Sequence, residues 1–103
     1  MGTSVTRVKN SSAQAVEFTE HMLQVVLKDG RTISVPLSWY PRLLHGTSTE
    51  RKNWYIIGQG EGIHWPGLDE DISVSGLLEG TPSQEARESL REWLQRRKAP
   101  RRR

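Results

Sequence analysis

At 103 residues with no cysteine, the chain has room for one domain and a single core, and no means of building a disulfide, a thiolate metal site or a cysteine nucleophile. Leu, Ile, Val and Phe number 10, 5, 7 and 1, or 23 of 103 residues, so the core must lean on the four tryptophans. The net charge of +3 hides an asymmetry: Arg96, Arg97, Lys98, Arg101, Arg102 and Arg103 supply six of the fifteen basic side chains, leaving nine basic against twelve acidic residues, a net of −3, before them.

No apolar run reaches the length of a membrane span or a signal-peptide core, and the expectation is a soluble, cytoplasmic protein. Residues 1–14 are polar and read as a flexible lead, in which Val5 and Val8 give a weak signal for an extra edge strand. Val16 and Phe18 alternate with Glu17 and Thr19 as a first strand; Leu23, Val25 and Leu27 form a second, and Ile33, Val35 and Leu37 a third.

The turn between the second and third strands follows from register. A two-residue Asp29-Gly30 loop sets Val26 opposite Ile33 and Gln24 opposite Val35, mixing polar with apolar. A three-residue Lys28-Asp29-Gly30 loop sets Val25 opposite Ile33 and Leu23 opposite Val35, and gives Gly30 the left-handed position such loops require. Pro36 lacks a ladder donor, so the third strand ends there or lies at an edge.

Trp39 to Leu44 reads as a short helical turn closed by Gly46. Thr47 and Glu50 have capping-box spacing, predicting a helix over Ser48–Asn53 and then a strand at Trp54–Ile57. Residues 58–72 form a loop with four glycines, a proline and a tryptophan beside a histidine and four carboxylates, the kind of fixed polar segment in which function concentrates. Ile72 and Val74 suggest another extended segment, and Ser75–Glu79 a helical turn ended by Gly80. Thr81 as cap, Pro82 at the first position and Gln84 completing a capping box predict a helix over 81–98, with Ala86, Leu90, Trp93 and Leu94 on one stripe and Pro100 beyond its end. The fold class expected is α+β: a small antiparallel β-meander with short helices and a C-terminal α-helix. The boundaries are a lead over 1–14, the α+β domain over 15–80, the helix over 81–98 and a basic tail over 99–103.

Three segments in this order carry a resemblance: Leu23-x-Val25-x-Leu27-x-Asp29-Gly30-Arg31, then Val35-Pro36-Leu37-x-Trp39-Tyr40-Pro41-Arg42-Leu43, then Gly62-Ile63-His64-Trp65-Pro66-x-Leu68-Asp69-Glu70-Asp71-Ile72 followed by Leu77-Leu78. The chain resembles, from about Ala15 to Gly80, the bacterial family known as domain of unknown function 2442. The resemblance implies a small α+β domain of antitoxin-like or regulatory character, often encoded beside a short toxin-like gene. Some relatives carry a helix-turn-helix, and no such motif follows Gly80 here.

His64, Asp69 and Asp71 are metal-ligand types and Glu70 a general-base type, yet their spacing fits neither an EF-hand loop nor a His-Glu-x-x-His helix. Asp69 and Asp71 are therefore expected to accept backbone N–H bonds and hold the loop around Trp65. Ser73 and Ser75 near His64 lack a nucleophile-elbow frame. His21 reads as a turn residue and His45 as a helix-end residue. The glycines at 58, 60 and 62 lack phosphate-loop spacing and read as a tight connection between strands.

No catalytic residue, metal or cofactor is expected. Trp39, Tyr40, Arg42, His64, Trp65, Asp69, Glu70 and Asp71 are the candidate partner-binding residues, with core packing the competing account for Trp39 and an ion pair to the acidic loop for Arg42. The expected partner is a small protein. The alternative is nucleic acid, bound non-specifically through Arg96, Arg97, Lys98, Arg101, Arg102 and Arg103. A metal-dependent hydrolase using His64, Asp69 and Asp71 is a third reading.

Overall fold

The computed structural model describes residues 11–98. The expectations for Val5, Val8, Pro100 and Arg101–Arg103 fall outside these residues.

Two three-stranded antiparallel sheets share one core. Strands β1 (Ala13–Phe18), β2 (Met22–Leu27) and β3 (Thr32–Pro36) form the first in the order β1-β2-β3. The hairpin from β2 to β3 has the three-residue loop: Val25 faces Ile33, Leu23 faces Val35, and Gly30 holds φ +96°. A loop of this length keeps Leu23, Val25 and Leu27 on one face, where all three are fully buried. β3 lies at the sheet edge and ends at Pro36, where no ladder donor is needed. β1 begins at Ala13, which is buried.

A 3₁₀ turn (Leu37–Trp39) leads to two short helices, α1 (Pro41–Leu44) and α2 (Ser48–Lys52). Thr47 and Glu50 form the reciprocal capping box, each side chain accepting from the other's backbone N–H. His45 caps the C-terminus of α1, and the Arg51 guanidinium donates to the carbonyls of Leu43 (2.8 Å) and Leu44 (2.9 Å) there.

The second sheet, β4 (Tyr55–Ile57), β5 (Gly62–Trp65) and β6 (Glu70–Ser73), takes up about half of the expected loop over 58–72. Its inner-face Ile63, Trp65 and Ile72 join the first sheet's Leu23, Val25 and Leu27 in one buried cluster. The sheets meet where the Ala13 amide donates to the Gly60 carbonyl at 2.8 Å. At φ +104°, Gly60 leaves no room for a side chain: a Cβ there would stand 2.4 Å from the Ser12 Cβ.

Helix α3 (Val74–Glu79) is capped by the Ser73 hydroxyl and stopped by Gly80 in the left-handed region. Helix α4 (Arg87–Lys98) starts six residues later than the capping signal at Thr81 predicts. The intervening segment is held extended by the rest of the fold: Ser83 N–H donates to the Trp39 carbonyl and the Tyr40 hydroxyl to the Thr81 carbonyl. Gln84 donates to the Pro82 carbonyl and so closes no capping box. Trp93, Leu90 and Leu94 nevertheless face the core as the stripe predicts, whereas Ala86 lies ahead of the helix and is exposed.

Candidate functional site

Alternation along β5 and β6 sorts the polar residues of the glycine-rich segment onto two opposite faces. Cross-strand pairing aligns Tyr55, His64 and Asp71 on the open face, with Ile57, Gly62 and Ser73 as the next row. The His64 Nδ1 is hydrogen-bonded to the Asp71 carboxylate, and the Tyr55 ring tilts over the imidazole at 5.1 Å. Tyr55 is 55 % exposed and Ile57 39 %, so this face offers an aromatic and an aliphatic side chain to solvent beside a polar pair. Ser73 uses its hydroxyl to accept the Gly76 amide at 3.0 Å, which makes it a helix cap.

Glu70 pairs with Trp65 on the inner face instead. Burial, reinforced by the Glu85 carboxylate, pushes its carboxyl up to about 7, with Arg42 opposing the shift. Burial, with the Glu70 carboxylate as the second cause, raises the Tyr40 phenol. Arg42 is the organiser of this corner. Its Nη2 stands 2.7 Å from the Glu85 carboxylate, its Nη1 donates to the Leu68 carbonyl at 3.1 Å, and its Cζ lies 4.8 Å from the Trp93 ring centroid. Arg97 covers the same ring at 4.6 Å and donates to both Glu50 oxygens, whose carboxyl it holds down to about 2.

The expected partner-binding set therefore divides. Trp65 is fully buried and donates its indole N–H to the Arg51 carbonyl, and Tyr40 is 4 % exposed; both are core residues with no surface to offer. Trp39 packs half-buried against the core. Arg42 pairs with the acidic turn as expected, at 3.9 Å from Asp69, and is held more closely by Glu85, in the segment ahead of α4. The bracing role expected of Asp69 and Asp71 is corrected: the Asp69 side chain is 88 % exposed, Asp71 binds the His64 ring, and among the described residues neither accepts a backbone N–H. The turn is held by its own backbone, with Leu68 N–H donating to the Trp65 carbonyl and Asp69 at φ +52°. His64 and Asp71 come together while Asp69 goes to the other side, and no group of three metal-ligating side chains is found among the described residues. Glu85 is the residue the sequence reading missed; its partner lies 43 positions away, beyond any local pattern.

A sequence profile described as a protein of unknown function (DUF2442) matches residues 13–83. The chain belongs to this family. Among curated proteins none matches it. A crystal structure of a protein of unknown function from Rhodospirillum rubrum is 28 % identical, with a TM-score of 0.63 over 74 % of this chain and 94 % of that one. The solution structure of an uncharacterized protein from Chromobacterium violaceum is 18 % identical and shares the fold, with a TM-score of 0.62 over 88 % and 89 % of the two chains. The DUF2442 match ends at Ser83, so Glu85 and helix α4 lie beyond it while Arg42 and Glu70 lie within it.

Proposed function

We propose that the protein is a cytoplasmic, non-enzymatic binding domain that acts as the antitoxin-like or regulatory partner of a small protein. The observation that supports it is the open face of the second sheet, where Tyr55 and Ile57 stand exposed beside the His64–Asp71 pair. Exposed aromatic and aliphatic groups with a polar rim are what a protein interface requires at its centre. Co-expression with the product of the neighbouring gene, followed by affinity pull-down, tests the proposal. Capture by the wild-type chain and its loss in Tyr55→Ser/Ile57→Asp support it; no capture and no rescue of growth remove it.

A second reading, association with nucleic acid, is favoured by Arg96 and Lys98. Both are exposed on the last turn of α4 and have no carboxylate partner among the described residues, whereas Arg97 is engaged by Glu50. Removing residues 99–103 together with Arg96→Gln and Lys98→Gln is expected to abolish duplex binding and its salt dependence. Unchanged binding in that variant excludes the segment.

A further inference from the structure

Among the described residues, the first sheet has an open edge at β1. Thr19 N–H donates to the Met22 carbonyl, which makes 19 and 22 a hydrogen-bonded pair. The register Phe18↔Leu23, Glu17↔Gln24, Val16↔Val25, Ala15↔Val26 then directs the backbone groups of Glu17 and Ala15 at β2. Those of Val16 and Phe18 point the other way, and no other element donates to or accepts from them among the described residues. Farther back along this edge, Ala13 is occupied by Gly60, so the opening begins at Val16.

This edge borders a groove of about 490 Å³ whose far wall is α2 and Trp54. The side chains of Phe18 and Trp54 make it partly apolar, and its rim carries two cations, Arg51 and Lys52, against the one carboxylate of Glu17, a net positive charge. The Arg51 guanidinium lies 5.8 Å from the Phe18 ring centroid, on the side of the sheet that Phe18 faces. Neither Arg51 nor Lys52 has a carboxylate within ion-pairing distance among the described residues. Arg51 is fixed by its two bonds to the end of α1, so its charge is held in place without being neutralised.

We propose that this groove takes an extended acidic peptide segment from a partner protein, which adds to β1 as a further strand. The backbone groups of Val16 and Phe18 supply main-chain pairing. Side chains two positions apart on an added strand lie on the same face, so an apolar residue there meets Phe18 and Trp54 while an acidic one meets Arg51 and Lys52. A basic segment meets two cations instead, which sets the sign of the preference. This surface is separate from the Tyr55 face and its test needs no knowledge of the partner.

The test uses the full chain, isotope-labelled, with the capped peptide acetyl-Thr-Val-Thr-Glu-Thr-amide and its counterpart carrying lysine in place of glutamate. The expected result is saturable resonance shifts centred on Val16, Phe18 and Trp54, slowed exchange of the Val16 and Phe18 amides, and several-fold weaker binding of the lysine peptide. Lys52→Glu, a change at an exposed side chain, is expected to reduce that preference or reverse it. Absence of saturable shifts overturns the proposal. So do shifts centred on Tyr55, His64 and Asp71, or equal binding of the two peptides.

Discussion

Arg42 and Glu85 are 43 residues apart and share a two-oxygen hydrogen-bonded ion pair, with the arginine side chain 11 % exposed and the glutamate 15 %. The pair fastens the segment ahead of α4 to α1. Glu85 also accepts from the Ser89 hydroxyl at 2.8 Å, which extends the tie into the first turn of the helix.

Removing one partner of this pair leaves the other charge nearly covered. Arg42→Met is therefore expected to destabilise the protein by about 2–4 kcal/mol, and Arg42→Met with Glu85→Gln by less than the sum of the single changes. Urea unfolding of the three variants measures this, and additive losses would show that the ion pair contributes no coupling.

Glu70 and Glu50 predict opposite pH dependences. The folded-state carboxyl of Glu70 is raised from 4.5 to about 7, so the folded protein holds a proton the unfolded chain has released, and stability falls as pH rises from 4.5 to 7. Glu50 is lowered to about 2, so its contribution is present above 4.5 and is lost as pH falls towards 2. Glu70→Gln is expected to flatten the upper slope and to gain about 1–2 kcal/mol at pH 8. Thermal unfolding across pH 3–8 checks both limbs, and an unchanged upper slope in the variant assigns that slope to another group.

Gly60 sits where the two sheets meet. Gly60→Ala forces a Cβ against Ser12 and against the Ala13 amide that donates to Gly60, at a φ that alanine disfavours. A loss of about 2 kcal/mol or more is expected from urea unfolding, together with faster exchange of the Ala13 amide.

Asp69 occupies the left-handed region at φ +52° in an exposed turn. Asp69→Asn and Asp69→Gly are expected to leave stability within about 0.5 kcal/mol of wild type, and Asp69→Val to cost about 1–2 kcal/mol, because a β-branched side chain clashes in that conformation. Equal melting temperatures for the three variants would remove the backbone account of this turn.

Much of the first sheet is legible in the sequence because its determinants are local. The match of apolar faces across Lys28-Asp29-Gly30 needs one hairpin, and Thr47 with Glu50 needs one helical turn. The second sheet is harder to read. Ile63 and Trp65 do alternate with Gly62 and His64, yet three glycines and a proline around them carry the stronger punctuation signal and suggest a loop. The late start of α4 is a case of tertiary contact overriding a local cap, since Trp39 and Tyr40 bind the backbone at Ser83 and Thr81. The functions assigned to Asp71 and Trp65 depend on which face of β5 and β6 each occupies, and that of Asp69 on the turn joining them. That information exists only once the strands are paired.

The indole of Trp93 is gripped by two guanidiniums, each leashed to its own glutamate. Of these leashes Arg97–Glu50 is the wetter and Arg42–Glu85 the drier, so dissolved ions reach the former first. Rising ionic strength therefore weakens the far tie of the C-terminal helix before the near one, while Trp93, Leu90 and Leu94 still hold the helix to the core by apolar contact.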